Sequence, residues 1–275
     1  MTSPQRPMPP TIPSDDRGLA YGDGLFETMR VRRGRVPLLQ RHLDRLLLGC
    51  RRLGISAPSR DTLIRHVEDA IESLGNEGIV KLMLTRGSGG HGYRPDRCQP
   101  RCITYTHPLA DPGGDRARTG AVIQLCKTRI GRSPATAGLK HLGRLEQVLA
   151  AMELRDDVDE GLMLDELDHV IEGTRSNLFL AGDDRLLTPV LDFSGVAGVM
   201  RGWVIDAASQ LGMTVEESAV SLDDLANADE IFLTNSVIGI WPVVRIRGLD
   251  WDSGRGSMTS RLVTALDEEV GAWGD

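Results

Sequence analysis

Residues 108–119, PLADPGGDRART, interrupt the chain more sharply than any other stretch. Pro108, Pro112, Gly113 and Gly114 sit among charges, with neither the period of 2 that a strand needs nor the 3.6 of a helix. No core can run continuously through such a segment. The chain is therefore expected to fold as two lobes, residues 1–110 and 120–275, with 111–119 as the linker. A length of 275 residues is enough for a core in each. The Pro-rich residues 1–13 read as a loose lead-in. A cleft between two lobes is a common place for a small-molecule site.

Both lobes mix strands and helices. The first reads as a strand over 25–32, a turn at 33–35, and a helix over 38–53 with Leu39, Leu43, Leu46, Cys50 and Leu53 on one stripe. A second helix follows over 60–74, then a strand over 78–84, the glycine-rich loop RGSGGHGY (86–93) and a strand over 101–107. The second lobe opens with a strand over 121–127. An amphipathic helix then begins near 142, and its Leu142, Leu145, Leu149 and Met152 are expected to face a core. Hairpins are expected over 161–172, turning at Leu167–Asp168, and over 177–189, turning at Gly182–Asp184. A helix starts after GVAG (195–198), a buried strand covers 230–235 and a last helix covers 256–272. The fold class is α/β (α+β), with a smaller N-terminal lobe and a larger C-terminal one.

Composition narrows the partners. The net charge is −7 and there is no long basic tract, which argues against nucleic acid. No apolar run is long enough to span a bilayer, and the opening MTSPQRPMPPTIPSDD lacks the apolar middle of a secretory signal. Four cysteines are too few for a disulfide scaffold, so a cytoplasmic, reduced setting is expected. Cys98 and Cys102, near His91 and His107, are too irregularly spaced around Pro100 to suggest zinc, and no metal is expected.

Lys140 is the residue that asks for chemistry. It stands in GLKHLGRLEQVLA (138–150), between Leu139, His141 and Leu142. A lysine stripped of water loses charge: its pKa falls, and the neutral amine can bond to an aldehyde. The cofactor whose needs match is pyridoxal phosphate, which requires a lysine, an acid beside its ring nitrogen and donors for its phosphate. Glu172, closing the strand HVIE, is a candidate acid. GVAGVMRG (195–202) supplies glycines and a helix start, whose free amides bind phosphate. Arg45 could add a fixed cation, and Asn235 and Ser236, at a strand end, are possible phosphate donors. Taken singly, these are a snorkelling lysine, an exposed acid, an ordinary helix entry, a solvated arginine and a polar turn. Their weight lies in the combination.

In this order the residues resemble a known family. DRGLAYGDGLFETMR (16–30), LLQRHLDRL (38–46), RGSGGHGY (86–93), GLKHLGRLEQVLA (138–150), VIEGTRSNLF (170–179), GVAGVMR (195–201) and NSVIGIWPV (235–243) are similar to segments of fold-type IV pyridoxal phosphate enzymes. Within that group they look most like the 4-amino-4-deoxychorismate lyases. The resemblance implies that Lys140 forms the Schiff base with the cofactor and that Glu172 pairs with the pyridine nitrogen. Arg45, the N–H groups of Val199 and Met200, and Asn235 or Ser236 would hold the phosphate. Thr28 matches a threonine that helps to protonate the leaving group, and a homodimer is implied. The substrate would be dianionic, and Arg30, Arg86 and Arg94 are candidates for its carboxylates. Four positions, in three departures, differ from related patterns. Gly143 replaces the usual Asn, while Leu145, and Gly239 with Trp241, replace residues characteristic of fold-type IV aminotransferases acting on D-amino or branched-chain acids. The last two departures argue against that alternative.

Overall fold

A computed structural model describes residues 11–109, 120–252, 256–271 and 273. The expected linker 111–119 lies outside the described residues. Before it the chain runs α1 (Arg17–Tyr21), β1 (Gly24–Arg32), α2 (Leu39–Leu53), α3 (Arg60–Leu74), β2 (Glu77–Thr85) and β3 (Arg101–His107). After it come β4 (Ala121–Leu125), α4 (Leu145–Met152), β5 (Glu160–Leu164), β6 (Val170–Gly173), β7 (Asn177–Gly182), β8 (Arg185–Pro189) and α5 (Val199–Gln210). β9 (Thr214–Ser218), α6 (Leu222–Asn227), β10 (Glu230–Asn235), β11 (Gly239–Arg247) and α7 (Ser257–Val270) complete it.

The two halves make separate sheets. β1, β2 and β3 form an antiparallel three-stranded sheet in that order. Alternation along β1 turns Leu25, Met29 and Val31 toward α2 and α3, where they join Leu43, Leu46, Leu63 and Val67 in one core. Phe26, Thr28 and Arg30 therefore fall on the opposite face. α2 ends where Gly54 takes a left-handed φ of 62° and returns its N–H to Arg51 and Cys50 carbonyls. Ser59 caps α3 by accepting from the Thr62 amide at 3.2 Å.

The second sheet has eight strands in the order β6-β5-β4-β11-β10-β7-β8-β9. Both expected hairpins form. The tight turn between β7 and β8 is made by Asp183 and Asp184 at φ 51° and 55°, the positive pair that a two-residue hairpin needs and that Asp tolerates. One face of the sheet is packed by α5 and α7, with Phe179 and Phe232 stacked at 5.0 Å beneath them. Sequence reading did not anticipate α1, β9, α6 or β11.

The segment around Lys140 differs from expectation. Residues 138–144 are not helical and α4 begins only at Leu145. Of the expected core face Leu142 is half-buried, while Leu145, Leu149 and Met152 point outward at 76%, 53% and 77% exposed, as does Val148 at 53%, and Gln147 and Ala150 face inward. The cause is the position of the cavity, which lies on the Gln147 side of the helix. Gly143 precedes the helix and so does not weaken it.

Candidate active site

The lysine segment is clasped from two sides. Phe26 N donates to the Lys140 carbonyl at 3.0 Å and Leu142 N to the Gly24 carbonyl at 3.0 Å, so residues 140–142 lie along the edge of β1 that β2 leaves open. On the other side Gly138 N donates to Gly195 O at 2.9 Å and Ala197 N to Gly138 O at 3.0 Å. Arg144 braces the same turn, donating to the carbonyls of Leu139 and His141 at 3.2 and 2.9 Å, one on each side of Lys140. The lysine is thus positioned by the small sheet and by the glycine loop at once.

A cavity of about 700 Å³ opens beside it. Lys140, Thr28, Arg45, Glu172, Val199, Met200, Asn235 and Ser236 all line it. Burial drives the Lys140 ammonium down to about 8, with Arg45 adding repulsion. Its Nζ lies 4.5 Å from the centre of the Phe26 ring. Burial likewise raises the Glu172 carboxyl to about 7, although Oε2 accepts a 2.7 Å bond from the Val196 amide and Arg144 and Lys140 pull the other way. Burial thus disfavours the charged form of both groups, while each favours the other's charge.

Arg45 is held rigidly. Its Nε and Nη2 form a fork on the two oxygens of Glu27 at 2.8 and 2.5 Å, and its Nη1 donates to the Ala197 carbonyl at 3.0 Å. Burial pushes the Glu27 carboxyl up, but Arg45 and the His42 ring, 2.6 Å from Oε2, overcome it and hold it near 2. Beside Arg45, α5 begins at Gly198 with no side-chain cap, and the missing Cβ there would collide with Asn177 Oδ1. An uncapped helix start of this kind, next to a fixed guanidinium, suits a phosphate. On this donor set the cavity fits pyridoxal phosphate, with Lys140 and Glu172 available for its two ends.

Sequence reasoning missed several wall residues. Lys81 pairs with Thr28 across β1 and β2, and its Nζ stands 4.6 Å from the Phe26 ring centre and 5.5 Å from that of Tyr105. Its signal was alternation: in GIVKLML it shares a face with Ile79 while Val80 and Leu82 enter the core. Arg144, Gln147 and Arg175 also line the cavity. Glu27 and His42 had no sequence signal, because only the packing of α2 on β1 brings them to Arg45. Three expected arginines do not line the cavity. Arg30 is buried beyond it, donating to the Trp273 carbonyl at 2.5 Å. Arg86 holds Asp23 at 2.7 Å and the Gly54 and Leu53 carbonyls at 2.8 Å each. Arg94 is exposed in the glycine-rich loop.

Comparison with known proteins agrees with this geometry. The sequence profile of the amino-transferase class IV family matches residues 24–246. An aminodeoxychorismate lyase of Vibrio harveyi is 35% identical over 256 residues, covering 91% of this chain and 94% of that protein. A putative branched-chain-amino-acid aminotransferase of Methanocaldococcus jannaschii is 34% identical over 267 residues, covering 94% of this chain and 91% of that one. The crystal structure of 4-amino-4-deoxychorismate lyase from Pseudomonas aeruginosa superposes with a TM-score of 0.89 at 42% identity, covering 97% of each chain. With Lys140, the buried Glu172 and an uncapped glycine helix start on one cavity, and with this span of matching sequence, the chain belongs to the amino-transferase class IV family.

Proposed function

We propose that the protein is a pyridoxal phosphate-dependent lyase that converts 4-amino-4-deoxychorismate to 4-aminobenzoate and pyruvate, a step of folate biosynthesis. The observation that carries this reading is the cavity itself: Lys140, Glu172 and Thr28 share its wall with two cations, Lys81 and Arg144, that have no acidic hydrogen-bond partner among the described residues. A dianionic substrate calls for such a lining. The 42% identical lyase structure supports the choice of reaction.

When bound, pyridoxal phosphate supplies an aldehyde that takes up amines and a ring that accepts electrons. Arg45, the Val199 and Met200 amides, and Asn235 or Ser236 would hold its phosphate. Glu172 would face the ring nitrogen, where a carboxylate keeps a proton in place. Lys140 would supply the amine that bonds to the cofactor's aldehyde. Its amine, whose charged form burial disfavours, would then take the proton from substrate C4 as general base. Lys81 and Arg144 would bind the carboxylates. Thr28, across the strand pair from Lys81, or Lys140 carrying the C4 proton, would protonate the departing enolpyruvyl group. The ring left behind becomes aromatic, which makes the release strongly downhill.

We place the boundary between the two halves within residues 111–119. The exposed apolar face of α4 supports a homodimer, since a helix with four large hydrophobic residues in water is normally covered. All four cysteines are free thiols, in keeping with the cytoplasm. No helix among the described residues is long and apolar enough to cross a membrane.

The test is incubation of the purified protein with pyridoxal phosphate and aminodeoxychorismate, with no amino acceptor. Release of 4-aminobenzoate and pyruvate is expected. Turnover that requires a keto acid would replace the lyase by an aminotransferase.

A further inference from the structure

Arg30 and Trp273 are buried, lie outside the cavity and have no part in the chemistry above, yet both reach the turn that forms one of its walls. β1 sends Phe26 and Thr28 into the cavity; Arg30 is the next residue on that face, 1% exposed. Its Nη1 donates to the Trp273 carbonyl at 2.5 Å and leans on the Val237 carbonyl at 3.4 Å, and its guanidinium lies 5.7 Å from the Trp273 ring centre. Among the described residues no acid hydrogen-bonds to it, Glu77 acts on it only through space, and its Nε and Nη2 are buried without a hydrogen-bond partner. A buried guanidinium is costly, so its position beside two carbonyls and a tryptophan is a specific arrangement.

Trp273 completes it. The ring is 5% exposed and joins the core under α7. Its Nε1 donates to the Val237 carbonyl at 3.1 Å, while its backbone N–H is anchored on Asp267 at 2.6 Å. Gly239 makes room for it: at φ 87° it has no side chain, and a Cβ there would stand 2.8 Å from the indole Cδ1. Arg32 ties the preceding Gly271 carbonyl to β1 at 3.0 Å. The Val237 carbonyl therefore receives one bond from the segment after α7 and a longer one from β1. The other side of the turn is braced internally, with Asn235 Oδ1 accepting from the Val237 and Ile238 amides at 3.0 and 2.8 Å. Asn235, Ser236, Val237 and Ile238 all line the cavity.

We propose that Arg30 and Trp273 are positioning residues that latch the 235–238 turn to β1 and so set where Asn235 and Ser236 meet the cofactor phosphate. This rests on reading the cavity as the cofactor site. Residues 30, 237 and 273 belong to segments remote in sequence, and without the latch the turn would be tied only to its own strands. The latch acts on binding rather than on proton transfer, because neither side chain touches the cavity.

Trp273→Phe keeps most of the ring and removes the Nε1 donor. Pyridoxal phosphate is titrated into cofactor-free wild type and variant, and amide hydrogen exchange is followed in both. The dissociation constant is expected to rise by about tenfold, the value of one well-made hydrogen bond. Exchange should quicken at Val237 and Ile238 and stay unchanged in β2 and β3, and with saturating cofactor kcat should stay within about twofold. Arg30→Lys, which keeps the charge but not the guanidinium that reaches both carbonyls, should move the same amides. An unchanged dissociation constant with unchanged exchange at the turn overturns the latch. So does acceleration spread evenly over the whole chain, which would mean a structural role only. The binding and exchange readouts do not use 4-aminobenzoate release, so they stand if the enzyme proves to be an aminotransferase. If wild type binds no pyridoxal phosphate, the reading of the cavity fails, and exchange at the turn alone decides the latch.

Discussion

The behaviour of Lys140 follows from what surrounds one nitrogen. Burial and Arg45 leave its amine near 8 instead of 10.5, so in cofactor-free protein its acylation by acetic anhydride should rise through pH about 8, as read by mass spectrometry of the 138–144 peptide. A rise only near 10.5 would mean a solvated ammonium. Glu172 shifts the other way. Its folded-state value near 7 lies above the ordinary 4.5, so the folded chain binds a proton more readily than the unfolded one. The resulting stability is full below pH about 4.5 and is lost as pH rises through about 7. Cofactor-free Glu172→Gln should lack that loss, amounting to about 3 kcal/mol at most, in urea titrations at pH 5 and 7.5. The same substitution should abolish most turnover, because the amide cannot hold the proton on the ring nitrogen. At this scale the sequence was informative about identity and silent about support. Lys140, Glu172 and Arg45 could be picked out by chemical type, but Glu27, which fixes Arg45, sits on the core face of β1 where the pattern calls for an apolar residue.

Among the elements, α4 shows the limit of periodicity most clearly. Leu145, Val148, Leu149 and Met152 form an apolar stripe in the sequence, and any rule of amphipathicity buries it. In the single chain it is exposed, because Gln147 and Ala150 are the residues turned inward. If a second copy covers the stripe, Leu149→Glu should yield monomer in sedimentation velocity while far-ultraviolet circular dichroism stays native. A wild-type protein that sediments as a monomer would remove the homodimer. Elsewhere the same rules succeeded, and for a reason: α2, β10 and the two hairpins pack on or within the sheet of their own half of the chain, so the face that is apolar in sequence is the face buried in space.

For the whole molecule, the decisive fact is that Lys140 belongs to the second half in sequence and to the edge of β1 in space. Cofactor bound against Lys140, Arg45 and α5 would tie both halves together. Pyridoxal phosphate at about 100 times its dissociation constant should therefore stabilise the fold by about 3 kcal/mol, seen as a concentration-dependent rise in melting temperature. Arg45→Met should shift that response to higher cofactor concentration by tenfold or more. An equal melting temperature with and without cofactor would separate the cavity from the cofactor.

What the amino-acid sequence determined by itself was local. Strand and helix periods, the Asp183–Asp184 turn, the glycine entry to α5 and the presence of a lysine, an acid and a threonine of the right kinds could all be read from neighbours along the chain. What only the tertiary structure decided was which of these meet. Lys81 facing Thr28, Glu27 fixing Arg45, Arg30 bonded to Trp273 rather than lining the cavity, and α4 turned inside out all depend on contacts between distant segments. Periodicity records which face of an element avoids water; it carries no record of which other element lies against that face.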